Sequence, residues 1–148
     1  MWSYVTAIMM MMVTVLSMPY FNFQGDGEFG SKSEATAEEF LIYRSTVQSY
    51  VIDNPGFVGV IPDSDLTFPN GFSSSGYWRN IVTDTGLICV YGKKQTALAT
   101  ALLNATSNSI TIGSKAEDGK FQSILDPGVS FDLPVDVPAG DLVWVVQI

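Results

Sequence analysis

The sequence predicts an α+β protein: an N-terminal transmembrane helix, then a small domain with about two helices packed on a mostly antiparallel sheet. Three observations carry that expectation. The chain opens with an uncharged apolar stretch, Met1 to Gly25. Two later segments repeat apolar residues at three-to-four spacing, the period of a helix with one buried face. The rest is divided into short apolar runs, rich in β-branched residues and bounded by Gly, Pro, Asn and Asp, the pattern of strands and turns. At 148 residues, 47% hydrophobic and 15% charged, the chain can bury a core and does not have a disordered composition.

The opening stretch runs from Met1 through Trp2, Tyr4, Ile8, the run Met9 to Met12, and Val15 to Met18. Eighteen helical residues reach ~27 Å, and Pro19 to Phe23 extend the apolar reach past a bilayer core of ~30 Å. Trp2 and Tyr4 at one end, and Tyr20, Phe21 and Phe23 at the other, sit where aromatic belts form. Val15 and Ser17 would suit a signal-peptide cleavage site. However, no Lys or Arg precedes the run, and it is long for the apolar part of a signal. A buried core helix would need a larger domain around it. Length and flanks favour an uncleaved anchor over residues 1–23. The α-amino group is the sole positive charge before it, and acidic residues dominate after it. This orientation places the N-terminus in the cytoplasm and the remaining domain outside, in a bacterium the periplasm.

Residues 24–33 contain Gly25, Gly27 and Gly30 and read as a flexible tether. The domain then spans 34–148. Thr36-Ala37-Glu38-Glu39 has the form of a capping box opening a helix, with Phe40, Tyr43, Val47, Tyr50 and Val51 as its apolar stripe. Asn54-Pro55-Gly56 ends it. Phe57 to Ile61 reads as a strand, and Pro62 to Gly76 as turns. Tyr77 to Val82 and Leu87 to Tyr91, joined by Thr83-Asp84-Thr85-Gly86, form a hairpin. Lys93 to Ala105 is helical, with Leu98, Ala101, Leu102 and Ala105 on one face. Ser109 to Ile112 and Phe121 to Leu125 are short strands with a polar turn, Lys115 to Lys120, between them, and Val129 to Leu133 is an edge strand near Pro134 and Pro138. Leu142 to Ile148, an unbroken apolar run, suits a strand buried on both faces.

Composition narrows the chemistry. Seven basic against fifteen acidic residues give a net charge of −8, which argues against a nucleic-acid partner. With no histidine, there is no imidazole base and no imidazole metal site. The lone Cys89 supplies neither an intramolecular disulfide nor a cysteine cluster, and its place in an apolar strand makes it a small buried hydrophobe. Asp63 and Asp65 could share a hard cation, but Leu66, Thr67 and Phe68 break the calcium-loop pattern, so the pair reads as a solvated turn. Asp126, Asp132, Asp136 and Asp141 read as charges that protect sheet edges. No phosphate-binding loop occurs, and Ser73 to Ser75 have no base beside them. These readings lead to no catalysis and no cofactor or metal.

The candidate site is therefore an interaction surface at Tyr77, Trp78 and Arg79, three residue types that anchor protein interfaces. Strand alternation puts Tyr77 and Arg79 on one face and Trp78 on the other. A surface strand residue packing only its stem explains Arg79 equally well.

Gly76-Tyr77-Trp78-Arg79-Asn80-Ile81-Val82, the strand Gly86 to Gly92 and Asn108-Ser109-Ile110-Thr111-Ile112-Gly113, with the overall length, resemble the PilM family of conjugative-plasmid type IV thin pili. That resemblance covers the whole chain. It implies an accessory protein of pilus assembly in the bacterial inner membrane, single-pass, touching pilus assembly proteins there and in the periplasm. It brings no catalytic residues. Alternatives are a pilin or minor pilin, and a periplasmic ligand-binding sensor or carboxylate-dependent hydrolase. The first is opposed by the missing Gly processing site before the apolar run and the missing Glu within it.

Overall fold

The computed structural model describes residues 24–148. The anchor expected over residues 1–23 lies outside the described residues. No helix among those described is long and apolar enough to cross a membrane.

Among the described residues, two helices and six strands follow in the order α1 (Gln24–Asp53), β1 (Arg79–Val82), β2 (Leu87–Gly92), α2 (Thr96–Ala105), β3 (Ile112–Lys115), β4 (Lys120–Ser123), β5 (Ser130–Asp132) and β6 (Leu142–Gln147). A short 3-10 turn at Asp63–Asp65 lies between α1 and β1. The strands form one sheet in the order β1-β2-β6-β3-β4-β5, every neighbouring pair antiparallel. The last strand thus enters the middle of the sheet, between β2 and β3. Its apolar run makes that position possible. Leu142 and Trp144 face the helices, while Val143 and Val145 face the other side, and all four are buried.

The helix face is the larger core. Phe40, Tyr43, Val47 and Val51 of α1, and Leu98 and Leu102 of α2, pack on Val82, Ile88, Val90, Ile112, Leu142 and Trp144. Of the expected stripes, Phe40, Tyr43, Val47, Val51, Leu98 and Leu102 are buried, Tyr50 and Ala101 are half-buried, and Ala105 is exposed at the end of α2. On the opposite face, Ile81, Cys89, Tyr91, Val143 and Val145 form a second core with Phe121, Leu133 and Val137, brought in by the curl of the sheet beyond β4. The close fit of that curl depends on Gly113. A Cβ there would overlap the ring of Phe121 and the carbonyl of Gln122 on the paired strand.

Several boundaries differ from the sequence reading. Helix α1, described from Gln24, runs through the segment read as a tether, with Thr36 in its interior. The Thr36 hydroxyl donates to the Lys32 carbonyl one turn back (2.8 Å), so the capping box does not form. Glycine weakens a helix by about 1 kcal/mol without forbidding it, and no proline interrupts residues 24–53. Glu39 instead accepts from the Ser75 amide (2.9 Å) and hydroxyl (2.7 Å), tying the loop before β1 to the helix. Helix α2 starts three residues later than expected, and β3 starts at Ile112 rather than Ser109. Ser109 and Thr111 share a side-chain hydrogen bond (2.7 Å) in the turn that precedes it. Phe57 to Ile61 makes a single antiparallel bridge, Gly59 to Val82, rather than a full strand.

Lys115 was read as part of a polar turn, yet it is buried at 8% exposure. Its ammonium donates to the carbonyls of Pro134 (2.7 Å) and Val137 (2.8 Å), which holds the loop after β5 over the second core. A buried charge is tolerated where several acceptors replace water.

Candidate functional site

The residues singled out as an interaction surface are separated by the sheet. Trp78 is 2% exposed and lies on the helix face, its ring centroid 4.9 Å from that of Phe40. The indole Nε1 donates to the Thr36 carbonyl (3.3 Å), fixing α1 to the start of the hairpin. Trp78 is therefore a packing residue and offers no contact surface. Tyr77 is half-buried, edge-on to Trp78 at 4.9 Å, and its hydroxyl donates to the Lys93 carbonyl. Both rings lie against the backbone of Gly92, where a Cβ would collide with them at 2.8 and 2.9 Å. A glycine at the end of β2 is the local reason these rings can pack there.

Arg79 is exposed at the first position of β1, across from Tyr91 of β2. It shares the second face of the sheet with Ile81, away from Trp78. Asp136, Asp141 and Lys93 complete the surroundings. Burial raises the Asp141 carboxyl above the usual range, and the positive fields of Arg79 and Lys93 work against that rise. Tyr91 is likewise raised, by burial first, with Arg79 opposing and Asp136 and Asp141 adding to it. Asp136, Asp141, Tyr91 and Lys93 escaped sequence reasoning as a group because they come from three separate segments. Only the β2–β6 register, with Tyr91 opposite Val143, puts Asp141 near the end of β2. The arginine that lies over aromatic rings is Arg44, 5.3 Å from the Trp144 centroid and 5.7 Å from that of Phe40.

The acidic residues fall into different roles. Asp63 accepts a hydrogen bond from the Tyr43 hydroxyl (3.1 Å), and Asp65 lies exposed on the same 3-10 turn. Asp132 does sit on the edge strand β5. Asp126 instead caps a turn, accepting from the Gly128 amide (2.9 Å), and Asp141 precedes the central strand β6. No group of three or more Asp, Glu, Cys or His that could hold a metal occurs among the described residues. One groove, of about 360 Å³, is lined by Ser33, Ala37, Ala97, Ala101 and Asn104 between the two helices.

Cys89 is wholly buried on β2. Burial pushes its thiol up to about 12, with Lys115 pulling weakly the other way. Its raised value favours the folded state up to the ordinary thiol pKa of 9.0, and that contribution is lost as pH rises towards 12. Two results are expected. Iodoacetamide at pH 8 should leave Cys89 unlabelled in the folded chain and label it in urea. Thermal stability should fall between pH 9 and 12, less steeply for Cys89→Val. Rapid labelling of the folded chain would contradict its burial.

The described residues thus form a small α+β domain, two helices on a curled antiparallel sheet, with a mixed-charge rim at one end of its first hairpin. The chain belongs to the PilM family, whose family model matches residues 8–145. That family is associated with pilus biogenesis. A crystal structure of a PilM protein from Escherichia coli B7A shares the fold, with a TM-score of 0.62 at 18% identity, covering 88% of this chain and 99% of that one. A pilM protein from Pseudomonas aeruginosa 2192 is 26% identical over 78% of this chain and 94% of its own, with a TM-score of 0.44. No curated protein matches.

Proposed function

We propose that this chain is an accessory protein of type IV thin-pilus assembly in conjugation, held in the bacterial inner membrane by residues 1–23. In this reading its domain lies in the periplasm and works by touching other pilus assembly proteins, without catalysis. Membership of the PilM family is the observation that carries the pilus role. The anchor rests on the uncharged, aromatic-flanked opening stretch. The contact role rests on the exposed Arg79, opposite Tyr91 in the β1–β2 pairing and close enough to Asp141 for its charge to be felt there.

Arg79→Ala should weaken capture of inner-membrane pilus proteins by about tenfold or more, equivalent to about 1.4 kcal/mol, while leaving the thermal melt nearly unchanged. Tyr77→Phe serves as the comparison, since it removes only the hydroxyl bonded to Lys93. Unchanged capture by the Arg79 variant, or a loss that tracks unfolding, would remove Arg79 from the contact. Carbonate washing and intact-mass measurement test the anchor separately. A protein released from membranes and starting near Met18 would reject it.

A further inference from the structure

We propose that the Val58–Val60 edge beside β1 is a docking site for an extended segment of a partner protein, apolar at alternate positions and basic at its ends. This proposal stands whether or not Arg79 contacts a partner.

Backbone bonding makes the case first. Gly59 uses both its groups on Val82: its amide donates to the Val82 carbonyl (2.8 Å), and its carbonyl accepts from the Val82 amide (2.9 Å). Ile61 is held the same way by a side chain. Its amide donates to Asn80 Oδ1 (2.8 Å), and its carbonyl accepts from Asn80 Nδ2 (2.9 Å). Positions 59 and 61 are thus satisfied towards the sheet. Gly59 itself sits at φ +116°, and because each trans peptide unit points its N–H and C=O to opposite sides, the Val58 carbonyl and the Val60 amide and carbonyl point away from the sheet. Neither Val58 nor Val60 has a backbone partner among the described residues.

This edge is also undefended. At the far edge of the sheet, β5 carries Asp132 and two other residues that are polar or half-buried, a normal protection against strand addition. Val58 and Val60 are 56% and 58% exposed, and Phe57 to Ile61 carries no charge. Beside Val58 opens an apolar groove of about 360 Å³, between the end of α1 and the β1–β2 turn. Ile52 and Ile148, 61% and 58% exposed, line it. An exposed edge and an adjoining groove together suit strand addition, in which main-chain bonds hold the segment and a groove takes a side chain.

Charge identifies the occupant. Asp84 lines the groove, Asp53 follows its lining residue Ile52 in the chain, and Asp63 and Asp65 follow Ile61 beyond the other end, all exposed. Two copies of this chain pairing through the edge would bring these carboxylates together, which opposes self-association. A segment with Lys or Arg at its ends is complementary.

The test uses the full chain in detergent micelles and the peptide KKVTVTWKK, with amide exchange followed by NMR. In the free chain, the Val60 amide should exchange fast while those of Gly59 and Val82 exchange slowly. The peptide at about 1 mM should slow Val60 by roughly tenfold or more. The same peptide N-methylated at alternate residues should not. Val60→Lys should weaken peptide binding by roughly tenfold with the melting temperature unchanged. Three results would overturn the proposal. One is protection of Val60 in the free chain, whether concentration-dependent from a second copy or concentration-independent from residues 1–23. Another is no slowing by the peptide. The third is equal binding of the N-methylated peptide, which would show apolar adhesion without strand pairing.

Discussion

Phe40→Ala is expected to cost about 3–5 kcal/mol of folding stability, the range for removing a buried aromatic ring. Phe40 is 1% exposed and projects from α1 against two tryptophans, 4.9 Å from Trp78, just before β1, and 6.4 Å from Trp144 of β6. The Arg44 guanidinium lies 5.7 Å from its centroid. Neither tryptophan can move into the vacated space. Trp78 is held by its bond to Thr36, and Trp144 belongs to the central strand, paired to Val90 and Ile112 on its two sides. For a domain of this size the melting temperature should fall by roughly 10–20 °C. Phe40→Leu, which keeps most of the volume, should cost about 1–1.5 kcal/mol. Thermal unfolding followed by circular dichroism separates the two. A loss for Phe40→Ala below about 1 kcal/mol would mean that this contact does not hold the helix to the sheet.

Asn80→Ala is the second large effect, expected at about 3 kcal/mol. Asn80 is 1% exposed, and its amide serves three groups at once. It accepts from the Ile61 amide, donates to the Ile61 carbonyl and donates to the Tyr43 hydroxyl (2.9 Å). Tyr43 passes the chain of bonds on to Asp63 (3.1 Å). Removing the amide strips both Ile61 backbone groups of their partners and takes one of two from the Tyr43 hydroxyl, which keeps Asp63, each uncompensated buried loss costing about 1–3 kcal/mol. Asn80→Asp should be nearly as damaging. A carboxylate still accepts from Ile61 but donates to neither the Ile61 carbonyl nor Tyr43. Denaturant unfolding gives the size of both effects. A cost under about 1 kcal/mol for both variants would show that water replaces the amide and that the site is not closed.

Much of the domain could be read in advance because its signals are local. Leu142 to Ile148 has no polar residue until Gln147, so a strand buried on both faces was the direct reading, and it lies at the centre of the sheet. The hairpin around Gly86 and the stripes of α1 and α2 follow from spacing alone. What escaped depends on distant partners. Lys115 and Glu39 were read as parts of a turn and a cap. Their acceptors and donors, Pro134, Val137 and Ser75, lie between 19 and 36 residues away in sequence. Asn80 looked like an ordinary strand residue, since its three partners come from α1 and the segment after it. The site residues were legible as residue types but not as a surface. Alternation separates Trp78 from Arg79, and burial leaves only Arg79 fully exposed.

The most direct measurement of the proposed role is deletion of the chain from a conjugative-pilus system, with complementation and analysis of sheared filaments. An accessory assembly protein predicts loss of pili and of mating, restored by the full chain, with the chain found in the inner-membrane fraction and absent from purified filaments. Normal pili and mating after deletion, or copies of the chain along the filament, would contradict it.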